Sequence, residues 1–169
     1  MARWPALPTS FMRPALEAAG FVGWHTWDQL QSASYQPVPP ESLCYVVHRT
    51  SSLEPHFLDA SPGGHFKRRS PTERISVLEA EWVANACTVY IGKATVGRRR
   101  LRAYGRFGAG EPVAHWGGRY IWQLAESADL LVAWHAISWP EPARGYEKRL
   151  LAHFAGLHDG RRPFANLAA

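Results

Sequence analysis

The sequence predicts a small α/β or α+β protein in which a central three-stranded sheet is flanked by helices. Three short runs of apolar and β-branched residues are typical of strands, and helical patterns with start and stop signals alternate with them. The 169 residues, of which 46% are hydrophobic, are enough for a single packed domain. We expect residues 1–40 to form an N-terminal extension that packs on the core, and residues 41–169 to form the domain itself.

The three predicted strands are Leu43–His48, Cys87–Ile91 and Leu130–His135. The first follows the Pro39-Pro40 pair, which interrupts regular structure before it, and the second ends at Gly92. The helices are predicted over 14–19, from Ser70 onward, over 98–107 and over 142–157. Ser70 is a suitable N-cap, Pro71 fits the first helical position, and Glu73 completes an S-x-x-E capping box. Residues 49–69 are predicted to form a loop.

The amino-acid composition of the chain limits the classes of function that we expect for it. The chain carries 19 Lys and Arg against 14 Asp and Glu, a net charge of +5, and 16 of the cations are arginine, whose planar donors suit phosphate. Six cations lie between Lys93 and Arg106 with no acidic residue among them, which predicts a local positive field. No stretch reaches the ~20 apolar residues of a membrane-spanning helix. Cys44 and Cys87 are too few for a disulfide scaffold, and we expect both to be buried thiols in a cytoplasmic protein.

One motif stands out. Val89-Tyr90-Ile91-Gly92-Lys93-Ala94 is followed by Arg100, ten positions after the tyrosine. This segment resembles the GIY-YIG nuclease family, and the resemblance covers roughly residues 41–167. It places Leu43-Cys44-Tyr45 in the first half-motif and Tyr90 to Gly92 in the second. Arg100, Glu147 and Asn166 then correspond to the family's arginine, metal-binding glutamate and asparagine.

The first half-motif keeps only its tyrosine, and it lies much further from the second than is usual in the family. The resemblance therefore implies an insertion, residues 49–85, between two strands that are neighbours in the sheet. Tyr35 is an alternative to Tyr45, but it lies in a polar stretch beside a proline.

The resemblance implies a GIY-YIG-like fold and a metal-dependent endonuclease or nickase that hydrolyses phosphodiester bonds in DNA. Glu147 is expected to hold Mg²⁺ (or Mn²⁺), and Arg100 to bind a phosphate oxygen with its two-pronged guanidinium. We expect a nearby metal ion and cations to favour the tyrosine phenolate. Tyr90 is then the general base and Tyr45 orients water or phosphate, or the two exchange roles. Asn166 completes the expected catalytic set.

Further residues are expected to contact the substrate: Gly92, Lys93, Arg98, Arg102, Lys67, Arg68, Arg69 and His115. For His115 a turn position is favoured over a catalytic role. The expected partner is DNA, with RNA not excluded and the oligomeric state open. Two alternatives remain: a module of the same fold that binds nucleic acid without cutting it, and a protein-interaction domain, which accounts for the tryptophans but not for the spacing to Arg100.

Overall fold

A computed structural model describes residues 5–138 and 142–167. Its centre is an antiparallel sheet of four strands in the order β1-β4-β2-β3. The strands are β1 (Val22–Thr26), β2 (Leu43–His48), β3 (Thr88–Ala94) and β4 (Leu131–Ala136). The predicted mixture of helices and sheet is confirmed, but the predicted number of three strands is wrong, because β1 adds a fourth strand at one edge.

β1 was missed because its backbone is irregular. Gly23 and Trp24 both have positive φ angles, 105° and 61°, and the register against β4 shifts between Gly23 and His25. A bulge of this kind breaks the alternation of apolar and polar residues that identifies a strand in a sequence. The strand is held by its pairing with β4 and not by a strong local pattern.

Five helices surround the sheet: α1 (Arg13–Ala18), α2 (Trp27–Ser32), α3 (Ile75–Glu81), α4 (Gly97–Gly108) and α5 (Ala143–Leu157). Three 3₁₀ segments are formed by Phe66–Arg68, Trp116–Gln123 and Ser127–Asp129. Thr26 and Gln29 form a capping box that starts α2.

The helix predicted to begin near Ser70 begins only at Ile75, so the predicted capping box is wrong. The cause is a tertiary contact with Gln123, whose side chain is fully buried. The Glu73 amide donates to Gln123 Oε1 at 2.9 Å, and Gln123 Nε2 donates to the Glu73 carbonyl at 2.8 Å. Because both backbone groups of Glu73 are bonded to this buried amide, the segment stays extended past the predicted cap.

Two apolar layers cover the two faces of the sheet. Tyr45, Val47 and Tyr90 point to one face, where they pack with α2, α4 and the Trp116–Gln123 segment. Cys44, Val46 and Ile91 point to the other face, which is covered by α1 and α5. Alternate residues of β2 thus serve opposite layers, as the twofold period of a strand requires.

The beginning of the described chain lies along α5. The side chains of Tyr146, Arg149 and His153 bond to the carbonyl oxygens of Ala6, Pro5 and Pro8, at 2.7, 3.3 and 2.7 Å. These contacts, with β1 and α2, join the first 40 residues to the rest of the core. Within the described ranges, none of the helices has the length and apolar character needed to span a membrane.

Candidate active site

The site is built on the pairing of β2 with β3. In this register Tyr45 lies opposite Gly92, and Val47 lies opposite Tyr90. Both tyrosine rings point to the same face of the sheet, with their centroids 5.9 Å apart. The segment between the two strands therefore leaves them as neighbours, as the motif comparison implied.

Gly92 makes room for the ring of Tyr45. A Cβ atom at this glycine would lie 2.5 Å from Tyr45 Cζ and 2.6 Å from its hydroxyl oxygen. Contacts this short do not occur between real atoms, so any larger residue would force the ring to move. The glycine thus contributes space for a tyrosine, and the structure shows no separate substrate contact for it.

His115 lies at the centre of the site and not on an exposed turn. Its Nε2 is 2.8 Å from the Tyr45 hydroxyl, and its ring is fully buried. The imidazole stacks on Tyr104, with centroids 3.5 Å apart and planes inclined by 9°. Tyr104 is fixed in turn, because its hydroxyl donates to the Gly118 carbonyl at 2.7 Å. These contacts hold the imidazole against Tyr45 in one orientation.

Arg100 reaches the same cluster from α4. Its Nη1 donates to the Ala114 carbonyl at 2.8 Å, next to His115 in sequence. Its positive charge favours the deprotonated form of both Tyr45 and Tyr90, which offsets part of the rise in pKa that burial causes at each hydroxyl. The guanidinium is partly exposed and therefore faces the tyrosines on one side and solvent on the other.

Burial nevertheless decides the protonation of the tyrosines. Burial raises the pKa of Tyr45 well above its usual value and also raises that of Tyr90, and the nearby Arg100 offsets only part of this effect. Burial first, and Arg100 second, lower the pKa of His115 well below its usual value. The resting site thus holds two neutral phenols and a neutral imidazole, and the expected phenolate is not its resting form.

A cleft of about 520 Å³ opens beside this cluster. It is lined by Lys93 and Ala94 of β3, by Thr95 and Val96, by Arg99, Arg100 and Ala103 of α4, and by Ala114. The cations that line it and its position beside the tyrosines are the features expected of a phosphate-binding cleft. Arg99, which the sequence analysis did not single out, lines this cleft, whereas Arg98 and Arg102, the two predicted substrate contacts on the same helix, do not.

Those two residues, Arg98 and Arg102, hold a loop of the protein itself. Arg98 Nε is 3.2 Å from the Tyr35 carbonyl and 3.0 Å from the Val38 carbonyl. Arg102 Nη2 donates to the Ser34 carbonyl at 3.1 Å. The structure therefore gives both guanidiniums partners within the chain. Tyr35, the alternative motif tyrosine, lies in this loop, and its ring is buried in the same core layer as Tyr45.

Glu147 approaches from the opposite layer. It lies on α5, and its Oε1 is 3.5 Å from Lys93 Nζ. Its charge raises the pKa of Tyr90, although burial is the larger cause. It is not among the residues that line the cleft, so Lys93 lies between the glutamate and the basic side of the site. The side chain of Glu147 is 16% exposed, and that of Lys93 is 43% exposed.

The donor set is compatible with one Mg²⁺ ion. Among the described residues no three His, Cys, Asp or Glu side chains come together as a metal cage. Mg²⁺ often takes only one or two carboxylates and completes its shell with water and substrate phosphate. A partly exposed carboxylate at the edge of a cationic cleft, here Glu147, fits that pattern once Lys93 moves away from it.

Asn166 lies at the free edge of β3. Its Oδ1 accepts from the Ile91 amide at 2.9 Å, and its Nδ2 donates to the Ile91 carbonyl at 2.8 Å. The Ala165 amide also donates to the Val89 carbonyl at 2.8 Å. The Asn166 amide thus acts as a short extra partner for the strand that carries Tyr90, which makes it a positioning residue.

The basic tripeptide Lys67, Arg68 and Arg69 is exposed at a 3₁₀ turn. Lys67 lies over the ring of Phe66, with Nζ 5.3 Å from its centroid, and Arg69 lies over the ring of Trp116. The tripeptide is thus outside the tyrosine cluster, but Arg69 contacts the residue that follows His115.

The cluster of Tyr45, Tyr90, Arg100 and His115 is the part of the predicted set that the structure brings together. The missed residues are Tyr104 and Arg99. Arg99 could have been found as the neighbour of Arg100 in a basic helix. Tyr104 has no such signal, because its role depends on the ring of His115, which comes from the loop before the Trp116–Gln123 segment.

Comparison with known proteins adds no relative: no protein-family model matches the chain, and no match is found among curated proteins or among solved structures.

Proposed function

We propose that this protein is a metal-dependent endonuclease or nickase that hydrolyses phosphodiester bonds in DNA. The observation that carries the proposal is the buried Tyr45–His115 hydrogen bond beside Arg100, at the wall of a cationic cleft. Phosphodiester hydrolysis needs a group that takes a proton from the attacking water and positive charge where negative charge develops. This cluster contains both kinds of group.

The tyrosine and histidine provide the proton path. The neutral His115 Nε2 is taken as the proton acceptor, and the Tyr45 hydroxyl lies 2.8 Å from it, with the ring of Tyr90 beside both. In the proposed reaction, water attacks the phosphorus and gives its proton to the Tyr45 oxygen as the Tyr45 proton passes to His115. The bond to the leaving oxygen breaks and this oxygen takes a proton from solvent, while His115 returns its proton through Tyr45 to solvent and the resting site is restored. We therefore assign the proton relay to Tyr45, because its hydroxyl is the group that contacts the imidazole of His115.

Charge stabilisation comes from two arginines that line the cleft and from Glu147, which lies behind Lys93. Arg100 and Arg99 face the phosphate oxygens, and a guanidinium can bind two of them at once. Glu147 would hold the Mg²⁺ ion, whose chemistry when bound is to polarise the phosphate and stabilise the leaving oxygen. Lys93 would leave Glu147 and contact the substrate, since it also lines the cleft.

The test is cleavage of supercoiled plasmid DNA with Mg²⁺, followed on an agarose gel. We expect nicked or linear product, no product with EDTA, and none for Glu147→Gln, because an amide is a poor ligand for Mg²⁺. Glu17→Gln is the matched control, since Glu17 also forms an ion pair, with Arg13 at 2.8 Å, on a different helix. The control should cut like the wild type, and full activity in Glu147→Gln would overturn the assignment.

A binding module without cleavage is the second candidate. The Lys93–Glu147 ion pair favours it, because the carboxylate needed for the metal already has a cationic partner. In that case duplex DNA binds, but neither Mg²⁺ nor Mn²⁺ produces any nicked plasmid. The same gel, run beside a binding measurement, therefore separates the two candidates.

A further inference from the structure

We propose that Arg69, Trp116 and Arg119 form a second phosphate-binding surface, which holds the DNA backbone beyond the bond that is cut. We call these three residues the Trp116 surface. The proposal rests on the proposed function for the identity of the ligand. The surface lies apart from the proposed active site, since none of the three residues lines the cleft or contacts Tyr45 or Tyr90.

The geometry of the surface is defined by one indole ring. The guanidinium carbon of Arg69 lies 4.7 Å from the ring centroid of Trp116, and that of Arg119 lies 4.4 Å from it. The ring is half-buried and packs edge to face on Phe107, with centroids 6.3 Å apart. Trp116 is therefore anchored in the core and holds two cations that come from distant parts of the sequence.

The charge of this surface is not neutralised locally. Among the described residues neither Arg69 nor Arg119 forms a salt bridge. Burial is the main cause that lowers the pKa of Arg119; Tyr120 and Glu73 act in the opposite direction, and Arg69 lowers it further, because the two cations repel each other. Holding two like charges at one ring costs free energy, and a polyanion that binds both relieves that cost.

The surface is continuous with the cleft. Trp116 directly follows His115, and the carbonyl of Ala114 accepts the hydrogen bond from Arg100. Ala114 itself lines the cleft. Two residues of extended chain span at most about 7 Å, so the surface begins about one nucleotide from the cleft wall. A strand whose phosphate is bound at Arg100 can thus place its next phosphates at Arg69 and Arg119.

Phosphate is favoured over bases as the group that binds here. A base would need an open aromatic face, whereas the guanidiniums already lie over the Trp116 ring. A guanidinium above an aromatic ring still has N–H donors that can bind phosphate oxygens. The indole therefore serves to orient the two donors. This also gives the segment between β2 and β3, which supplies Arg69, a role in substrate binding.

The experiment measures fluorescence anisotropy of a labelled 30-base-pair DNA duplex in EDTA, at several salt concentrations. For the double variant Arg69→Gln/Arg119→Gln we expect an affinity at least about tenfold lower and a salt slope reduced by about two phosphate contacts. For Arg69→Gln alone, whose side chain is exposed, we expect a reduction of about one contact. This single variant keeps the test valid if the partly buried Arg119 affects folding.

Arg13→Gln is the matched control. Arg13 also lies over a tryptophan, with its guanidinium carbon 4.7 Å from the Trp24 centroid, but Trp24 packs with the layer on the opposite face of the sheet. The control should bind like the wild type. If the Arg69 variants and the control have the same affinity and salt slope, the surface is overturned while plasmid cleavage by the wild type still supports the proposed function. If the wild type does not bind the duplex at all, the surface is overturned, and plasmid cleavage alone decides the function.

Discussion

At the scale of single residues, the pair formed by Tyr45 and Gly92 shows how a sequence motif is converted into geometry. The two residues are opposite each other on β2 and β3, and the tyrosine ring occupies the space where a side chain would be at position 92. With the ring in this place, its hydroxyl reaches His115. The glycine of the motif is thus needed for the position of the Tyr45 hydroxyl.

We predict that Gly92→Ala loses about 100-fold in DNA cleavage, because the added methyl group pushes the Tyr45 ring away from His115 and small displacements of a catalytic group are costly. We also expect a loss of about 1–3 kcal/mol in the free energy of unfolding, from the same overpacking. Plasmid cleavage and urea denaturation measure the two effects.

Gly156→Ala is the control for this prediction. Gly156 lies in α5, and a Cβ atom there meets nothing within 4 Å. Alanine in an open helical position should be neutral or stabilise by up to about 1 kcal/mol. The prediction for Gly92 is contradicted if the two alanine variants behave alike.

The residues of the site differ in how far the sequence predicts them. Tyr90, Gly92 and Arg100 lie close together in the chain, so their spacing identifies them without a structure. Tyr104 and His115 meet through a ring stack between α4 and a loop, and no local pattern encodes such a contact. The burial of the tyrosines could not be predicted from the sequence either, because it depends on residues from several elements that pack over their rings.

At the scale of secondary structure, the free edges of the two outer strands are protected in different ways. β3, which carries Tyr90, is bonded along its free side by the Asn166 side chain and the Ala165 amide. β1, at the other edge, is distorted by its bulge. Both devices limit the pairing of an edge strand with another chain, and the first also keeps the catalytic strand straight.

We predict that Asn166→Ala lowers the free energy of unfolding by about 2 kcal/mol, since two hydrogen bonds of about 1 kcal/mol each are lost. The Ile91 amide should then exchange its hydrogen faster, because it loses its acceptor. Hydrogen exchange followed by NMR checks this residue directly. In Asn166→Asp an acceptor oxygen remains, so the Ile91 amide should keep more of its protection. An unchanged exchange rate in the alanine variant would rule out the strand-pairing role.

The elements that were predicted well are those with strong local signals. β2 has the bounds that its apolar run predicted, and α4 differs by only one residue at each end from the predicted basic helix. The failures were β1, whose left-handed residues hide its pattern, and the start of α3, where the buried Gln123 overrides a good capping box. In both cases a distant segment decides the local structure.

At the scale of the whole molecule, the N-terminal residues are part of the core. β1 pairs with β4, and Trp27 and Leu30 of α2 are buried in the same layer as the tyrosines. On the other face, Phe11 packs edge to face on Phe154 of α5, and its carbonyl accepts from Thr88 Oγ1 at 3.0 Å. The paired strands β2 and β3 are thus held by elements within residues 5–40 and by α5.

The packing of these elements predicts that acid lowers the stability of the fold through His48. This residue is 5% exposed and lies between Trp24 and Thr88. Burial, and then the charge of Arg13, lower the pKa of His48 from 6.5 to about 4. Because the unfolded chain takes up the proton first, stability falls as the pH drops from 6.5 to 4 and is constant with respect to this group below that. The expected loss from His48 is about 3 kcal/mol.

The measurement is urea denaturation of the wild type and of His48→Gln at pH 7 and pH 4. Glutamine does not titrate, so the variant should lose less stability between the two pH values. The buried His115 and the half-buried His135 also have lowered pKa values and contribute to the pH dependence of both proteins. The role of His48 is contradicted if the two proteins lose the same amount.

The long connection between β2 and β3 has a consequence for how the chain folds. An ordinary hairpin brings its strands together by closing a turn of a few residues, whereas here roughly 40 residues must be closed into a loop first, at an extra entropic cost of about 2–3 kcal/mol. The Tyr45–Gly92 register thus belongs to the late, non-local contacts that slow folding. During synthesis, β2 leaves the ribosome well before β3 has been made. Its apolar residues therefore have no partner strand on that side during this interval. The contacts among Tyr45, Tyr90 and His115 therefore assemble only after the chain has been made at least as far as His115.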